Sequence, residues 1–282
     1  MRPHQWVKNA FVVAPLVFAE QLTAPMTVGR AFAAFALFSM ASGAVYIVND
    51  CFDVEKDRAH PTKRARPIAA GELSVAAAMR IAGGLAVFVL AAGALLAPAF
   101  AACAALYLAQ NLAYSRKLKH IAWLDVTTIA AGFLLRILAG AFAIDVPVSA
   151  WLIACTFLLA LYLAMGKRRH ELLESAAESE RRRKVLERYT LGQIHAGMFA
   201  TALMTSAAYT AYTLDTSQGS FHSEGLRYTV PFIVIGLTRF FMLTGTTERS
   251  DSPTERMIKD PLFVGNVLCW GAAILYLIYG QA

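Results

Sequence analysis

The 282-residue chain is 57% hydrophobic and only 16% charged, and its apolar residues fall in blocks instead of stripes. That excludes an ordinary soluble domain and indicates an all-α polytopic membrane protein. The formal charge of +7 calls for no nucleic acid, because inward-facing loops of membrane proteins carry an excess of Lys and Arg.

Crossing a hydrocarbon core of roughly 30 Å takes about 20 helical residues. Blocks near that length lie at 8–24, 28–49, 75–96, 98–113, 122–143, 148–166, 191–212, 226–244 and 262–280. They predict about nine transmembrane helices packed as a single domain over residues 1–282. The first block is interrupted by Pro15 and ended by Glu20, and the block at 98–113 is short, so eight spans also fit. The opening "MRPHQWVKN" leads into an apolar run without a small-residue cleavage site, which reads as an uncleaved first span. Cys51, Cys103, Cys155 and Cys269 stand singly, with no C-x-x-C spacing, and suggest neither a zinc site nor a disulfide framework.

Nine spans put Arg2, Lys8, Lys56, Arg58, Lys63, Arg64, Arg66, Arg116, Lys117, Lys119, the run from Lys167 to Arg188, Arg249, Arg256 and Lys259 on one side. The other side holds little beyond Arg30 and Arg227. The charged side is therefore predicted to be cytoplasmic, in a multi-pass protein of the inner (cytoplasmic) membrane whose chemistry faces the cytoplasm. The longest charged loop, Gly166 to Thr190, reads as a surface helix, with Glu178–Arg182 and Glu180–Lys184 at i,i+4.

Directly after the second block runs "NDCFDVEKDRAHPTKRARP". Asp50, Asp53 and Asp57 fall at i, i+3 and i+7, on one face if the helix continues. Carboxylates so crowded raise one another's pKa unless a cation neutralises them, and an oxygen-only set of this kind suits Mg²⁺ bridging to a substrate's phosphates. A solvated helix end paired with Lys56 and Arg58 is the plainer reading. The basic stretch beyond the aspartates favours the metal: Lys63, Arg64 and Arg66 sit in a proline-bounded loop, as expected of a pocket for a metal and the anionic groups the metal does not reach. Further along, Asp125 and Arg136 are ionisable groups within a span, where each costs about 2.5–3.5 kcal/mol on insertion scales and usually faces a cavity. Eleven residues apart on one helix, they are separated by about 16 Å and need other partners; a substrate phosphate is one for Arg136. Tyr114 and Lys119 bracket a short inner loop and read either as interface residues or as site residues. Arg80 reads as snorkelling and His60 as a loop residue.

The N-D-x-x-D-x-x-x-D pattern resembles the first aspartate-rich motif of the UbiA superfamily of intramembrane prenyltransferases. More narrowly, "RPHQWVKN" (2–9), "VNDCFDVEKDRAHPTKRARPIAAG" (48–71), "NLAYSRKLKH" (111–120), "LLRILAGA" (134–141) and "GKRRHEL" (166–172) resemble its decaprenyl-phosphate phosphoribosyltransferase branch. These motifs cover the first two thirds of the chain. The resemblance implies nine helices around a central cavity. It also implies transfer of phosphoribose from phosphoribosyl diphosphate (PRPP) to a polyprenyl phosphate such as decaprenyl phosphate, with release of diphosphate, to supply activated pentose for cell-envelope polymers. Asp50, Asp53 and Asp57 would hold Mg²⁺ against the donor's diphosphate, and Asn49 would orient a carboxylate or a donor hydroxyl. Lys63, Arg64, Arg66, Lys119, Lys167 and Arg168 would bring the two anions together, and Lys8 and Asn9 would face the cavity. Aromatic prenyltransferases of the superfamily carry a second aspartate-rich motif after span 6, where this chain instead has "GKRRHELLES", basic at Lys167, Arg168 and Arg169. That departure favours phosphate binding there over a second metal.

Two other readings stay open. An aromatic prenyltransferase using a prenyl diphosphate lacks its second carboxylate cluster here. A cation-coupled transporter would want its carboxylates at the midplane and paired interrupted helices, neither of which the chain offers. Oligomeric state leaves no signature, so a homo-oligomer stays open.

Overall fold

In a bilayer every backbone N–H and C=O must find a partner within the protein, and a helix does this within a single segment. The computed structural model describes residues 3–59, 61, 63–177, 186–215, 224–245 and 253–280, and all regular structure among them is helical. Arg2, His60, His222, Arg249 and the pairs Glu178–Arg182 and Glu180–Lys184 lie outside the described residues.

A 3₁₀ segment, Pro3–Val12, leads into the short helix α1 (Ala14–Phe18). There follow α2 (Pro25–Phe52), α3 (Val54–Arg58), α4 (Val75–Leu96), α5 (Pro98–Arg116), α6 (Leu124–Ile144), α7 (Ala150–Ala177), α8 (Leu191–Leu214), α9 (Val230–Thr244), α10 (Pro253–Lys259) and α11 (Pro261–Tyr279). Among the described residues, six helical stretches are long and apolar enough to cross a membrane: Pro25–Phe52, Val75–Leu96, Leu124–Ile144, Ala150–Glu174, Gly225–Thr244 and Pro261–Tyr279. The other three expected spans differ for physical reasons. The first is broken into a 3₁₀ segment and a five-residue helix around Pro15. α5 and α8 have the length, but Gln110 and Asn111 dilute the first and hydroxyl residues the second. In α8, Thr201, Thr205, Ser206 and Thr210 turn their hydroxyls back onto the carbonyl one turn earlier, which hides their polarity inside the helix.

Local signals set the starts. Pro25, Pro98 and Pro261 open α2, α5 and α11, where a missing N–H costs nothing. Ser74 caps α4 by accepting from the Ala77 N–H at 3.2 Å, and Thr190 with Gln193 forms a reciprocal capping box on α8.

The helices cluster into two compact units, residues 1–119 with 132–148, and 120–131 with 149–282. The core of the first is built from Val12, Phe38, Val89, Phe100, Tyr107 and Leu135. Within it the N-terminal segment presses so closely on α6 that a Cβ at Gly140 would collide with the Val12 carbonyl oxygen. Arg30 closes the same unit by donating to the last carbonyls of two helices, Leu96 O of α4 at 2.9 Å and Ala143 O of α6 at 2.7 Å, which satisfies orphan acceptors at their negative ends.

The core of the second unit holds Tyr162, Met165, Ile194, Met198, Leu237 and Phe240. Gly166 gives the Phe240 ring room to lie against α7, and the Tyr162 hydroxyl donates to Leu237 O at 2.6 Å. Asp260 both caps α11, accepting from the Phe263 N–H at 2.7 Å, and takes two hydrogen bonds from Arg239 of α9 at 3.0 and 2.6 Å.

Gly140→Ala should lower thermal stability by about 1–3 kcal/mol because backbone must shift. Gly84→Ala, which meets nothing within 4 Å, should be neutral or gain up to about 1 kcal/mol from helix propensity; thermal denaturation followed by size-exclusion fluorescence compares them. The Arg239 hydrogen bonds hold the Asp260 carboxyl below the usual carboxylate range. Its stabilisation is therefore complete above the ordinary value of about 4 and is lost as pH falls through the lowered one. Asp260→Asn should melt earlier than wild type at pH 7, and the gap should close only in strong acid.

Candidate active site

α2 ends at Phe52, and the chain turns at Asp53 before α3 resumes. Hydrogen bonds from Asp53 N to Asn49 O (3.0 Å) and from Asp57 N to Asp53 O (2.8 Å) carry helical pairing across the break. The expected unbroken helix is thus two pieces, and the joint divides the aspartates. Asp50 and Asp57 share one cation: Arg66 Nη1 lies 3.2 Å from Asp50 Oδ1 and 2.5 Å from Asp57 Oδ2. Asp53 faces another, with Lys119 Nζ 3.5 Å from its Oδ1. The plainer pairing with Arg58 is not formed; Arg58 Nη1 bonds Glu55 at 2.8 Å instead. In the basic loop, Lys63–Ala65 is a 3₁₀ turn on which Lys63 is half-buried and Arg64 exposed.

Among the described residues no three His, Cys, Asp or Glu side chains stand close enough together to hold a metal. The arrangement nevertheless fits a divalent ion in one respect: a single guanidinium nitrogen already bridges Asp50 and Asp57, so two hard oxygen donors converge on one cationic position. Asn49, beside them, bonds the buried Ser115 hydroxyl, which also donates to Asn111 O at 2.8 Å. Ser115 is absent from the predicted site, since one serine at a helix end carries no sequence signal. Tyr114 next to it is half-buried.

The same face of α2 continues inward. Ser39, Ser42, Tyr46, Asn49 and Asp53 succeed one another at spacings of three and four, a polar stripe in an apolar helix. At its inner end stands Arg136, only 6% exposed. Its Nε donates to Asn9 Oδ1 at 2.9 Å, Nη1 to Gly132 O at 2.7 Å and Nη2 to the Tyr107 hydroxyl at 3.0 Å. Asn9 also accepts from Ser42 and donates to Ser39, and Ser42 lies 3.3 Å from the Tyr107 hydroxyl, which closes the ring. The rings of Phe38, Tyr107 and Phe133 lie 4.8–5.4 Å from the guanidinium carbon. All these partners are neutral, so the charge is dispersed without being cancelled. Asn9 is fully buried here, and Lys8, next to it, is half-buried.

In the second unit α7 runs on as helix through Ala177, so Gly166–Ala177 is the end of a long helix and not a loop. Consecutive basic residues therefore point in different directions. Lys167 is exposed. Arg168, 0% exposed, pairs with Asp125, equally buried, across 2.7 Å and also with Glu171. Arg169 donates to Phe241 O (2.5 Å), the Thr244 hydroxyl (2.9 Å) and His195 Nε2 (2.9 Å), with the Phe241 ring 4.0 Å from its guanidinium carbon. The Tyr189 hydroxyl accepts from the Trp123 N–H at 2.6 Å and donates to Asp125. Burial first, and that bond to Asp125 second, push the Tyr189 phenol well up, so it stays a neutral donor. Asp125 and Arg168, expected among the substrate-binding groups, are engaged with one another inside this unit.

The UbiA prenyltransferase family pattern matches residues 10–267. The chain belongs to that family. Decaprenyl-phosphate phosphoribosyltransferase of Mycolicibacterium smegmatis is 34% identical over 98% of this chain and 91% of its own length. The Corynebacterium glutamicum protein of that name is 33% identical over 99% and 85%. Among solved structures, a UbiA homolog from Archaeoglobus fulgidus bound to DMAPP and Mg²⁺ superposes with a TM-score of 0.71 at 16% identity, covering 98% of this chain and 96% of that one. The same homolog bound to GPP and Mg²⁺ gives 0.72 at 15% identity, over 98% and 95%. A UbiA-family chain with this many membrane helices is a membrane-bound transferase, and the likeness reaches past Leu172, where the last of the recognisable motifs ends.

For this UbiA protein, Asp125→Asn should destabilise by up to about 3–5 kcal/mol, because it removes one of the two carboxylates that answer the fully buried Arg168 charge. Adding Arg168→Met to it should restore much of that loss. Thermal melts of the two singles and the double show the coupling; purely additive losses would count against the pair.

Proposed function

We propose that the protein transfers 5-phosphoribose from PRPP to a polyprenyl phosphate, decaprenyl phosphate by analogy with these relatives, at the cytoplasmic face of the inner membrane. The observation that carries this is the carboxylate pair Asp50 and Asp57 converging with Arg66 from the basic loop, in a chain about a third identical over nearly its whole length to decaprenyl-phosphate phosphoribosyltransferases.

An oxygen of the lipid phosphate attacks C1 of the donor while the bond from C1 to the diphosphate oxygen breaks, and the electron pair leaves with diphosphate. The attacking phosphate is already anionic, so no strong base is needed. Asp50, Asp53 and Asp57 would hold Mg²⁺, whose charge, when bound, favours departure of the diphosphate. Asn49, fixed by Ser115, orients one carboxylate or a donor hydroxyl. Lys63, Arg64, Arg66 and Lys119 supply the cation density that brings two anions together, and Arg clamps a phosphate bidentately. Lys8, Tyr114 and the exposed Lys167 complete the anion-binding set. Arg136 adds a positive charge that its neutral partners leave uncancelled. Asp125 and Arg168 position α6 against α7. The product is an activated pentose carrier of the kind consumed in assembling cell-envelope polymers.

The UbiA homolog crystallised with DMAPP or GPP favours a second reading, in which the donor is a prenyl diphosphate. One assay separates them. Membranes containing the protein, Mg²⁺, radiolabelled PRPP and decaprenyl phosphate should yield organic-extractable label. Chelation should abolish it, and Asp53→Asn should cut it by at least roughly 100-fold. Label that stays aqueous with wild type refutes the proposal, and prenylation of 4-hydroxybenzoate from a prenyl diphosphate would establish the second reading.

A further inference from the structure

Arg66 holds the point on which two carboxylates of the aspartate motif converge. Its Nη1 sits between Asp50 Oδ1 and Asp57 Oδ2, at 3.2 and 2.5 Å. We propose that Arg66 is a resident counter-ion, exchanged for the metal only when a diphosphate arrives to receive its guanidinium, so that metal and donor bind together and neither binds well alone. This rests on the metal–diphosphate reading of the aspartates.

Three observations carry it. The first is burial. Asp57 is 4% exposed, and an ionised carboxylate that far from water must keep a partner. Arg66 therefore cannot withdraw before another cation is in place, while that cation cannot approach the facing oxygens until Arg66 withdraws. A concerted exchange meets both conditions.

The second is charge. Arg66 and Lys119 set two positive charges against the three carboxylates, which leaves the triplet a weak attractor for a free divalent ion. A diphosphate reverses this. As the guanidinium and ammonium turn to phosphate oxygens, for which Arg's planar fork is well matched, all three carboxylates are released to the metal that the diphosphate brings.

The third is where freedom lies. The backbone carrying Arg66 is fastened by Arg66 N to Lys63 O (3.0 Å), Ala70 N to Arg66 O (2.7 Å) and Leu73 N to Pro67 O (3.1 Å). Arg58 Nε ties the segment back to α3 through Ala69 O at 3.3 Å. The hydrogen-bonded backbone need not move: on this side the exchange takes only a swing of the long Arg66 side chain, already 28% exposed.

Equilibrium dialysis of the purified full-length protein in nanodiscs against radioactive Mn²⁺ tests this. Wild type should bind Mn²⁺ weakly alone and at least about tenfold more tightly with PRPP or inorganic diphosphate, but not with ribose 5-phosphate. Arg66→Gln should tighten donor-free Mn²⁺ binding by about tenfold and flatten the diphosphate effect. Lys56→Gln removes the same charge from an exposed residue of the same segment and should shift donor-free binding by less than about threefold. Equal shifts in the two variants, or none in Arg66→Gln, overturn the proposal. So does tight donor-free binding by wild type, a result that needs no variant to fold. In those cases Mn²⁺ binding that depends on Asp53 and Asp57 would leave the metal–diphosphate reading standing. No Mn²⁺ uptake by wild type with PRPP would sink both.

Discussion

A charge inside a membrane protein cannot be left to water, and how each one is compensated organises both units of this chain. In the second unit Arg168 is answered by charge, from Asp125 and Glu171, and Arg169 by hydrogen bonds to a carbonyl, a hydroxyl and an imidazole. Such groups fix helices and have little left to offer a ligand. In the first unit Arg136 is held as Arg169 is, among neutral acceptors and aromatic faces, and the aspartates lean on Arg66 and Lys119, cations on long, partly exposed side chains. Chemistry belongs where compensation can be traded, because a substrate anion or a metal can then replace an internal partner without stranding a buried charge.

The polar stripe of α2 gives this trade a physical route. Ser39 and Ser42 meet the Arg136 ring, Asn49 meets Ser115, and Asp50 and Asp53 meet the exchangeable cations, all from one helix and its end. The buried ring ties α2 to the N-terminal segment through Asn9, to α5 through Tyr107 and to α6 through Arg136. Around the break at Asp53 two cations from different segments reach the carboxylates, Arg66 at Asp50 and Asp57 and Lys119 at Asp53.

How legible each feature is in the sequence depends on how local it is. Apolar blocks and proline starts report on their own segment, so the helices fall close to where hydropathy places them. The aspartate triplet and the Lys63–Arg66 loop lie within twenty residues, and their pairing is foreseeable in kind. Partners distant in the chain are not. Asp125 and Arg136 can be marked as needing partners, but nothing local names Arg168 and Tyr189 for one, or Asn9 and Tyr107 for the other, because those meetings are made by packing over 29 to 127 residues of chain. Ser39 and Ser42 are within reach of the same periodicity that marks the aspartates, as polar residues at helical spacing in an apolar run. The segment from Gly166 reads as a surface helix in the sequence; that it continues α7 and turns Arg168 and Arg169 inward is not legible, because their partners Asp125, Phe241 and Thr244 lie far off in the chain.

The fate of those arginines shows what a run of charge becomes on a helix. Read as sequence, "KRR" at 167–169 looks like a phosphate cradle. On a helix, three consecutive residues point about 100° apart, so they cannot act as one cradle. Arg168 and Arg169 face inward and are saturated, which leaves Lys167 as the exposed cation of the three. Two of the three basic side chains therefore serve the packing of α7 and not its surface charge. They are accommodated inside because Asp125, Glu171 and the Phe241–Thr244 end of α9 are there to receive them.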